Sequence, residues 1–307
     1  MFRAYLMSYF IGLCFFVNLK AQTSNCESSY FSEATLLKHI KSLSSDAFEG
    51  RRTGTAGAIK AKQFIVNQFH ALGVLPFTKN YEQRFSFYKE KVHYKGTNIL
   101  GEIKGTHFPD SYMVISAHYD HEGIKNGEIY NGADDNASGV CALLSFAEYF
   151  KKYPPKHSVI FAAFDAEELN LQGSKYFMKS GVAQSTKIVL NLNLDMVSRS
   201  ETNTLFVVGT SHNARLKWIY KKNKLACGII LEAGHDGLDG REDWTYASDH
   251  MSFFLENIPF LYFGVDDHDD YHEPTDTFDK IQPQFYINAV KTMINYFEKV
   301  DDLRLYY

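Results

Sequence analysis

The sequence predicts an α/β fold: a doubly wound, mostly parallel sheet with helices on both faces and antiparallel edge strands. Two observations carry this. From residue 112 onward, short runs of buried-strand character alternate with segments of helical spacing, the pattern of parallel strands joined by crossover helices. Along these runs, in order, come five islands of metal-binding residue types: His118 and Asp120 after Val114-Ile115-Ser116-Ala117, Asp135 within Gly132-Ala133-Asp134-Asp135-Asn136-Ala137-Ser138-Gly139, Glu167-Glu168 after Val159-Ile160-Phe161-Ala162-Ala163-Phe164, Asp195 after Val189-Leu190-Asn191-Leu192-Asn193-Leu194, and His272 shortly after Phe260-Leu261-Tyr262-Phe263. In an open parallel sheet, ligands gather in the crevice outside the carboxyl ends of the strands, so these side chains are expected to converge.

The elements follow in order. Residues 1–21 read as an export signal: Arg3 gives a positive start, 9–17 an apolar segment too short for the roughly 20 residues of a spanning helix, and Leu19-Lys20-Ala21 a small-residue cleavage site. Ser32 caps a helix with apolar positions Leu36, Leu37, Ile40 and Leu43, and a second helix runs from about Ala56 to Leu72 and stops at Gly73. Residues 81–94 and 98–103 read as strands that pair antiparallel at one edge. Then come strand 112–117, helix 139–151, strand 158–164, helix 172–180, strand 187–194, strand 204–208, helix 212–225, helix 249–256, strand 258–263 and helix 283–299. No repeat, low-complexity tract or linker divides residues 22–307, which are expected to form one catalytic domain.

Composition bounds the function. A hydrophobic content of 45% with 15% aromatics supports a sizeable core. Loss of the signal removes Arg3 and Lys20 and takes the formal charge from −4 to −6, which leaves no electrostatic footprint for nucleic acid. No integral membrane segment is expected after signal removal, and the oligomeric state is not legible. Cys26, Cys141 and Cys227 are too few and too odd a set for a disulfide framework, and none has zinc-site spacing. Any metal must therefore rely on His and carboxylates.

Taken singly, each island has an ordinary explanation: a polar loop, an Asx turn, acids at a helix N-terminus, or a turn around Pro274. Asp195 resists one, since an acid finishing an apolar strand would otherwise be buried unpaired. Three carboxylates and two imidazoles suit borderline cations such as zinc, with one glutamate to spare as a base.

Together the islands resemble the two-zinc aminopeptidase family, metallopeptidase family twenty-eight, whose relatives include glutaminyl cyclases and metal-free receptor homologues. The resemblance runs from about Ser44 to the C-terminus and takes in Asp46-Ala47-Phe48-Glu49-Gly50-Arg51, Thr53-Gly54-Thr55-Ala56-Gly57 and Ser248-Asp249-His250. It implies a zinc-peptidase-like fold and two Zn2+ ions, with His118 and Asp195 on one, Glu168 and His272 on the other, and Asp135 rather than Asp134 between them. A carboxylate bridge suits ions about 3.5–4 Å apart. The resemblance also makes Glu167 the general base, places Asp120 behind His118, gives Asp249 and Asp276 supporting roles, and implies a cis peptide bond at Asp135–Asn136. Tyr271, just before His272, is a candidate oxyanion donor or a packing aromatic.

The reaction so implied is removal of N-terminal residues from peptides with a free N-terminus, in the periplasm or outside the cell. Glutaminyl cyclase is the main alternative. Against it, Glu167-Glu168-Leu169-Asn170-Leu171-Gln172-Gly173-Ser174 runs straight into the next helix, and tyrosine rather than tryptophan precedes His272. A related aminoacylase and carboxypeptidase family inserts a lid domain between the late ligands. The 77 positions from Asp195 to His272 leave no room for one beside the core elements. A non-catalytic binding relative is disfavoured by the complete donor set.

Overall fold

The computed structural model describes Cys26 and residues 30–222 and 227–302. The export segment lies outside the described residues, as do positions 223–226 of the helix expected at 212–225. Among the described residues, nine strands form one sheet: β1 (Leu75–Pro76), β2 (Glu82–Lys89), β3 (Val92–Ile103), β4 (Phe108–His118), β7 (His157–Phe164), β8 (Ile188–Leu194), β9 (Thr204–Val208), β10 (Ile230–Ala233) and β11 (Phe260–Gly264). The small hairpin of β5 (Gly123–Lys125) and β6 (Glu128–Tyr130) stands apart from it. Across the sheet the order is β1, β3, β7, β4, β8, β11, β9, β10, with β2 paired to β3.

The central four, β7, β4, β8 and β11, are mutually parallel, so their carboxyl ends open on one side. β3 runs antiparallel to β7, and β9 antiparallel to β11. Antiparallel pairing thus closes both halves of the sheet, where the sequence reading placed it at one edge. Every residue of β7, β9 and β11 is buried, as expected of strands covered on both faces.

The helices are α1 (Glu33–Leu43), α2 (Ala56–Leu72), α3 (Gly139–Lys152), α4 (Gln172–Lys179), α5 (Gly181–Gln184), α6 (Ala214–Lys222), α7 (His250–Phe254) and α8 (Pro283–Asp301). Local chemistry sets their ends. The Ser32 hydroxyl accepts from Thr35 N–H at 3.2 Å, and α2 starts at a Thr55 cap and stops at Gly73 in the left-handed region, φ 66°. Pro283 opens α8, which buries Tyr286, Val290, Met293, Ile294 and Phe297 against the sheet's main core. Among the described residues, no helix is long and apolar enough to cross a membrane.

Two sequence expectations change. Residues 81–94 are not one strand: the chain reverses at Glu90 and Lys91, φ 50° and 67°, so that β2 and β3 form a hairpin from Glu82↔Ile99 to Lys89↔Val92. The cysteines are not all single. Cys26 and Cys227 are disulfide-bonded across 201 positions, and Cys141 on α3 is a free, buried thiol.

Candidate metal centre

The loop after the Gly132 turn builds the middle of the site. Gly132 takes φ 53°, and a Cβ there would lie 2.0 Å from the Asp135 carbonyl oxygen; at Gly139 one would lie 2.2 Å from that of Leu194. Only glycine fits either place. Between them, Asp134 turns away from the crevice: its Oδ1 accepts from Ser198 N–H and hydroxyl, both 2.7 Å, and its Oδ2 lies 3.1 Å from His268 Nε2. Asp135 turns inward. The Asp276 carboxylate accepts from the N–H groups of Asp134 and Asp135 at 3.0 Å, which fixes the opposite pointing of the two neighbours. The bond from Asp135 to Asn136 is cis.

The predicted side chains come together. His118 Nε2, at the end of β4, lies 3.3 Å from Asp135 Oδ1 and 3.3 Å from Asp195 Oδ1, just past β8. Asp135 Oδ2 lies 3.2 Å from His272 Nε2, which in turn is 3.3 Å from Glu168 Oε2. One carboxylate thus reaches two clusters of donors with its two oxygens. Ser248 donates to Asp195 Oδ2 at 2.6 Å, and Asn193 donates to Ser248 at 2.9 Å, so the β8 terminus is braced from a loop 53 positions away. Ala166, Met196 and His272 hold φ of 61°, 52° and 55° beside these residues. Non-glycine residues in that region cost about 1–3 kcal/mol each and gather where a site must be held in shape.

Asp120 does its work differently from the expectation. It is the Asp120 carbonyl oxygen that meets His118 Nδ1, at 3.1 Å, while the carboxylate is 3.8 Å from that nitrogen. The carboxylate instead accepts from Glu167 N–H at 3.0 Å and Glu168 N–H at 3.3 Å, pinning the loop that carries both glutamates. Asp249 is fully buried at the start of α7; burial pushes its carboxyl up to about 6. Burial and the charge of Asp134 push Asp276 up to about 6 as well. Tyr271 stacks its ring on His272, centroids 3.9 Å apart, and its phenol is raised by burial and by the charges of Asp135, Asp195 and Glu168.

His121 was missed as a site residue. Its Nδ1 lies 2.8 Å from Glu168 Oε1 and 3.6 Å from Asp135 Oδ2, and its Nε2 is buried without a partner. The only sequence signal was its place in the His118-Tyr119-Asp120-His121 turn. Arg51 is a second omission. Its fully buried guanidinium donates to the carbonyl oxygens of Tyr119 (2.9 Å), Leu43 (3.0 Å), Asn131 (2.6 Å) and Gly132 (2.8 Å), tying the His118 and Asp135 loops to the N-terminal segment. Arg51→Met strands those carbonyls and is expected to lower unfolding free energy by about 3–5 kcal/mol in urea titrations. A loss below 1 kcal/mol would mean that water replaces the guanidinium freely.

The buried carboxylates and imidazoles of the cluster perturb one another strongly. The surrounding protein desolvates Glu167 and raises its carboxyl well above the usual range; His118 opposes this, while Glu168, Asp249 and Asp195 add to it. Burial pulls the His118 imidazole down, but Asp195, Glu167 and Asp135 outweigh it and hold it well above its usual value. Glu168 is held at about 2 despite burial, through His121 and His272. His118, Asp135 and Asp195 can each offer one atom to a common point, as can His121, Asp135 and Glu168, or Glu122, Glu168 and His272. Glu122 is already engaged by Arg52 and Lys125. Nitrogen and oxygen donors three to a point, with a shared carboxylate and a buried imidazole nitrogen left over, fit zinc-sized ions.

His118, Asp135, Glu167, Glu168, Asp195 and His272 line a cavity of about 480 Å³, with Trp244, Tyr246, Met251, Tyr262 and Val265 as an apolar wall and Lys89, Glu242 and Asp267 among its polar groups. A larger cleft of about 730 Å³, lined by Ile59, Lys62, Phe85, Lys95 and Tyr176, contains none of the convergent donors.

Several known proteins are similar to this chain. A probable zinc metalloprotease of Pyrenophora tritici-repentis is 36% identical over 125 residues, covering 39% of this chain and 28% of that protein. Aminopeptidase YwaD of Bacillus subtilis is 28% identical over 196 residues, covering 61% and 41%. The chain therefore spans between about a quarter and two-fifths of the length of these curated relatives. The Legionella pneumophila LapA aminopeptidase shares the fold with a TM-score of 0.70 at 18% identity, over 89% of this chain and 73% of that one. So does Porphyromonas gingivalis glutaminyl cyclase, with a TM-score of 0.72 at 19% identity, over 88% and 99%. The match to a family model covers residues 98–297, from β3 to the last helix and hence every strand end that feeds the cluster, and by it the chain belongs to Peptidase family M28.

Proposed function

We propose that this chain is an exported, two-zinc aminopeptidase that removes N-terminal residues from peptides with a free amine. The observation that carries the reading is the split carboxylate of Asp135, one oxygen 3.3 Å from His118 Nε2 and the other 3.2 Å from His272 Nε2. His118, Asp135 and Asp195 would hold one ion, and Glu168, His272 and Asp135 the other, with His121 fixing the second oxygen of Glu168. Bound zinc supplies Lewis acidity to the scissile carbonyl and to the attacking water. The residues do the rest. Glu167, held at its backbone by Asp120, accepts the water's proton and returns it to the leaving amine. Tyr271 keeps its proton and can donate to the oxyanion, while its stacked ring orients His272. Asp120, Asp249 and Asp276 support the arrangement from behind.

Export is supported by the Cys26–Cys227 disulfide, a bond that persists in oxidising compartments. The fold alone does not separate peptidase from cyclase, since both kinds of solved structure superpose on it. The unbroken path from Glu168 through Leu171 into α4 favours the peptidase, as does a centre with donors for two ions. The zinc-loaded protein is expected to hydrolyse free-amine aminoacyl chromogenic substrates, to lose that activity with a chelator, and to act little on N-acetylated analogues. Ammonia release from a glutamine-leading peptide whose peptide bonds stay intact would give the cyclase reading instead.

A further inference from the structure

The cavity has a polarity that follows from strand order. Of the candidate metal donors, His118, Glu168 and Asp195 sit at the ends of β4, β7 and β8, in the middle of the sheet. To one side of them, towards β11 and β9, the wall is apolar and aromatic: Trp244, Tyr246, Tyr262 and Val265. To the other side, beyond β7, lies the β2–β3 hairpin, and from it Lys89 enters the cavity lining. Among the described residues that line it, Lys89 is the one lysine or arginine, in a cleft otherwise rich in carboxylates.

The hairpin is not a loose arm. Phe87 and Tyr94 stack across it with centroids 5.4 Å apart, and together with Phe85 they pack on Ala166 and Leu169, the residues on either side of Glu167-Glu168. Lys89 closes the paired region opposite Val92, one residue before the turn. Its backbone is therefore fixed relative to the glutamate loop, and only the flexible stem of the side chain is left to reach into the cleft.

We infer that Lys89 receives the free C-terminal carboxylate of a short peptide, so that dipeptides and tripeptides are the favoured substrates. This rests on the aminopeptidase reading. A peptide whose N-terminal side chain meets the apolar wall has its scissile bond over the donors and its leaving amine at Glu167, on the β7 side. The next group along a dipeptide is its carboxylate, which then comes to the hairpin side of the cleft. There an ammonium gives a charge-assisted hydrogen bond that an amidated or much longer peptide cannot make. A cavity of about 480 Å³ is of a size that encloses a small peptide.

The test compares leucyl-alanine with leucyl-alaninamide on the zinc-loaded wild-type protein, Lys89→Ala and Lys89→Glu. Wild type is expected to favour the acid by about fivefold to tenfold in kcat/KM, mostly through KM, and the preference is expected to shrink as salt rises. Lys89→Ala brings the ratio close to one, and Lys89→Glu inverts it. Calorimetric binding of the same two ligands to the zinc-loaded Glu167→Gln protein is expected to show the acid bound tighter, and the difference to vanish when Lys89→Ala is added. Equal rates on acid and amide in wild type, or a preference that survives both Lys89 variants, overturns the inference alone. Hydrolysis of neither compound overturns the peptidase reading, and the role of Lys89 with it.

Discussion

Glu167→Gln is expected to lower kcat on a free-amine substrate by about 10²–10⁴-fold while leaving both ions bound. The substitution keeps the length of the side chain and the backbone N–H that donates to Asp120 Oδ1 at 3.0 Å, so the loop after β7 has no reason to move. What it removes is the proposed proton acceptor. The surrounding protein and the neighbouring Glu168, Asp249 and Asp195 charges give Glu167 a stronger hold on a proton than an ordinary glutamate has. A stronger base is what proton removal from water near neutrality needs. Glu168→Ala should behave differently, because both Glu168 oxygens are engaged, one by His121 at 2.8 Å and the other by His272 at 3.3 Å. That change should weaken one ion and leave the other. Metal analysis by mass spectrometry beside steady-state kinetics separates the two cases. Full turnover by Glu167→Gln with both ions present would show that the proton goes elsewhere.

The contrast between these adjacent glutamates shows how much of the site a sequence can carry. Strand ends were legible because buried parallel strands are mostly apolar and free of charge, so an acid or imidazole at their close stands out; His118, Glu168 and Asp195 are of this kind. Helix limits were legible where a cap or glycine marked them, as at Ser32 and Gly73. Contacts made through the backbone were not. Asp120 lies two positions after His118, which suggested a carboxylate behind the imidazole, yet the carbonyl oxygen meets the ring and the carboxylate holds the glutamate loop. The β2–β3 hairpin turns at Glu90 and Lys91, residues that give none of the glycine or asparagine signal such a turn usually carries. The β5–β6 hairpin does carry one, Asn126-Gly127, but strands of three residues each are too short to show a period. The pairing of Cys26 with Cys227 depends on a separation of 201 positions, about which no local pattern informs.

Asp135→Ala is expected to cost both ions, where Asp195→Ala costs one. Without the Asp135 carboxylate the first cluster keeps only His118 and Asp195, and the second only Glu168 and His272 with His121 beside them. Changes behind a ligand already weaken metal binding about 10–100-fold, so loss of the shared ligand should exceed that at each position. The loss should be local, because the loop does not depend on that side chain. Asp276 holds the N–H groups of Asp134 and Asp135, Asp134 is anchored by Ser198 and His268, and Asn136 donates to the Leu194 carbonyl at 2.9 Å. The variant should therefore unfold cooperatively, with the stability of the chelated wild-type protein rather than that of the zinc-loaded one. Zinc per chain, measured after dialysis, is expected at two for wild type, one for Asp195→Ala and none for Asp135→Ala. One ion per chain in wild type, with Asp135→Ala no worse than Asp195→Ala, would mean that Asp135 serves a single ion, and a one-metal centre would return the cyclase reading to the front.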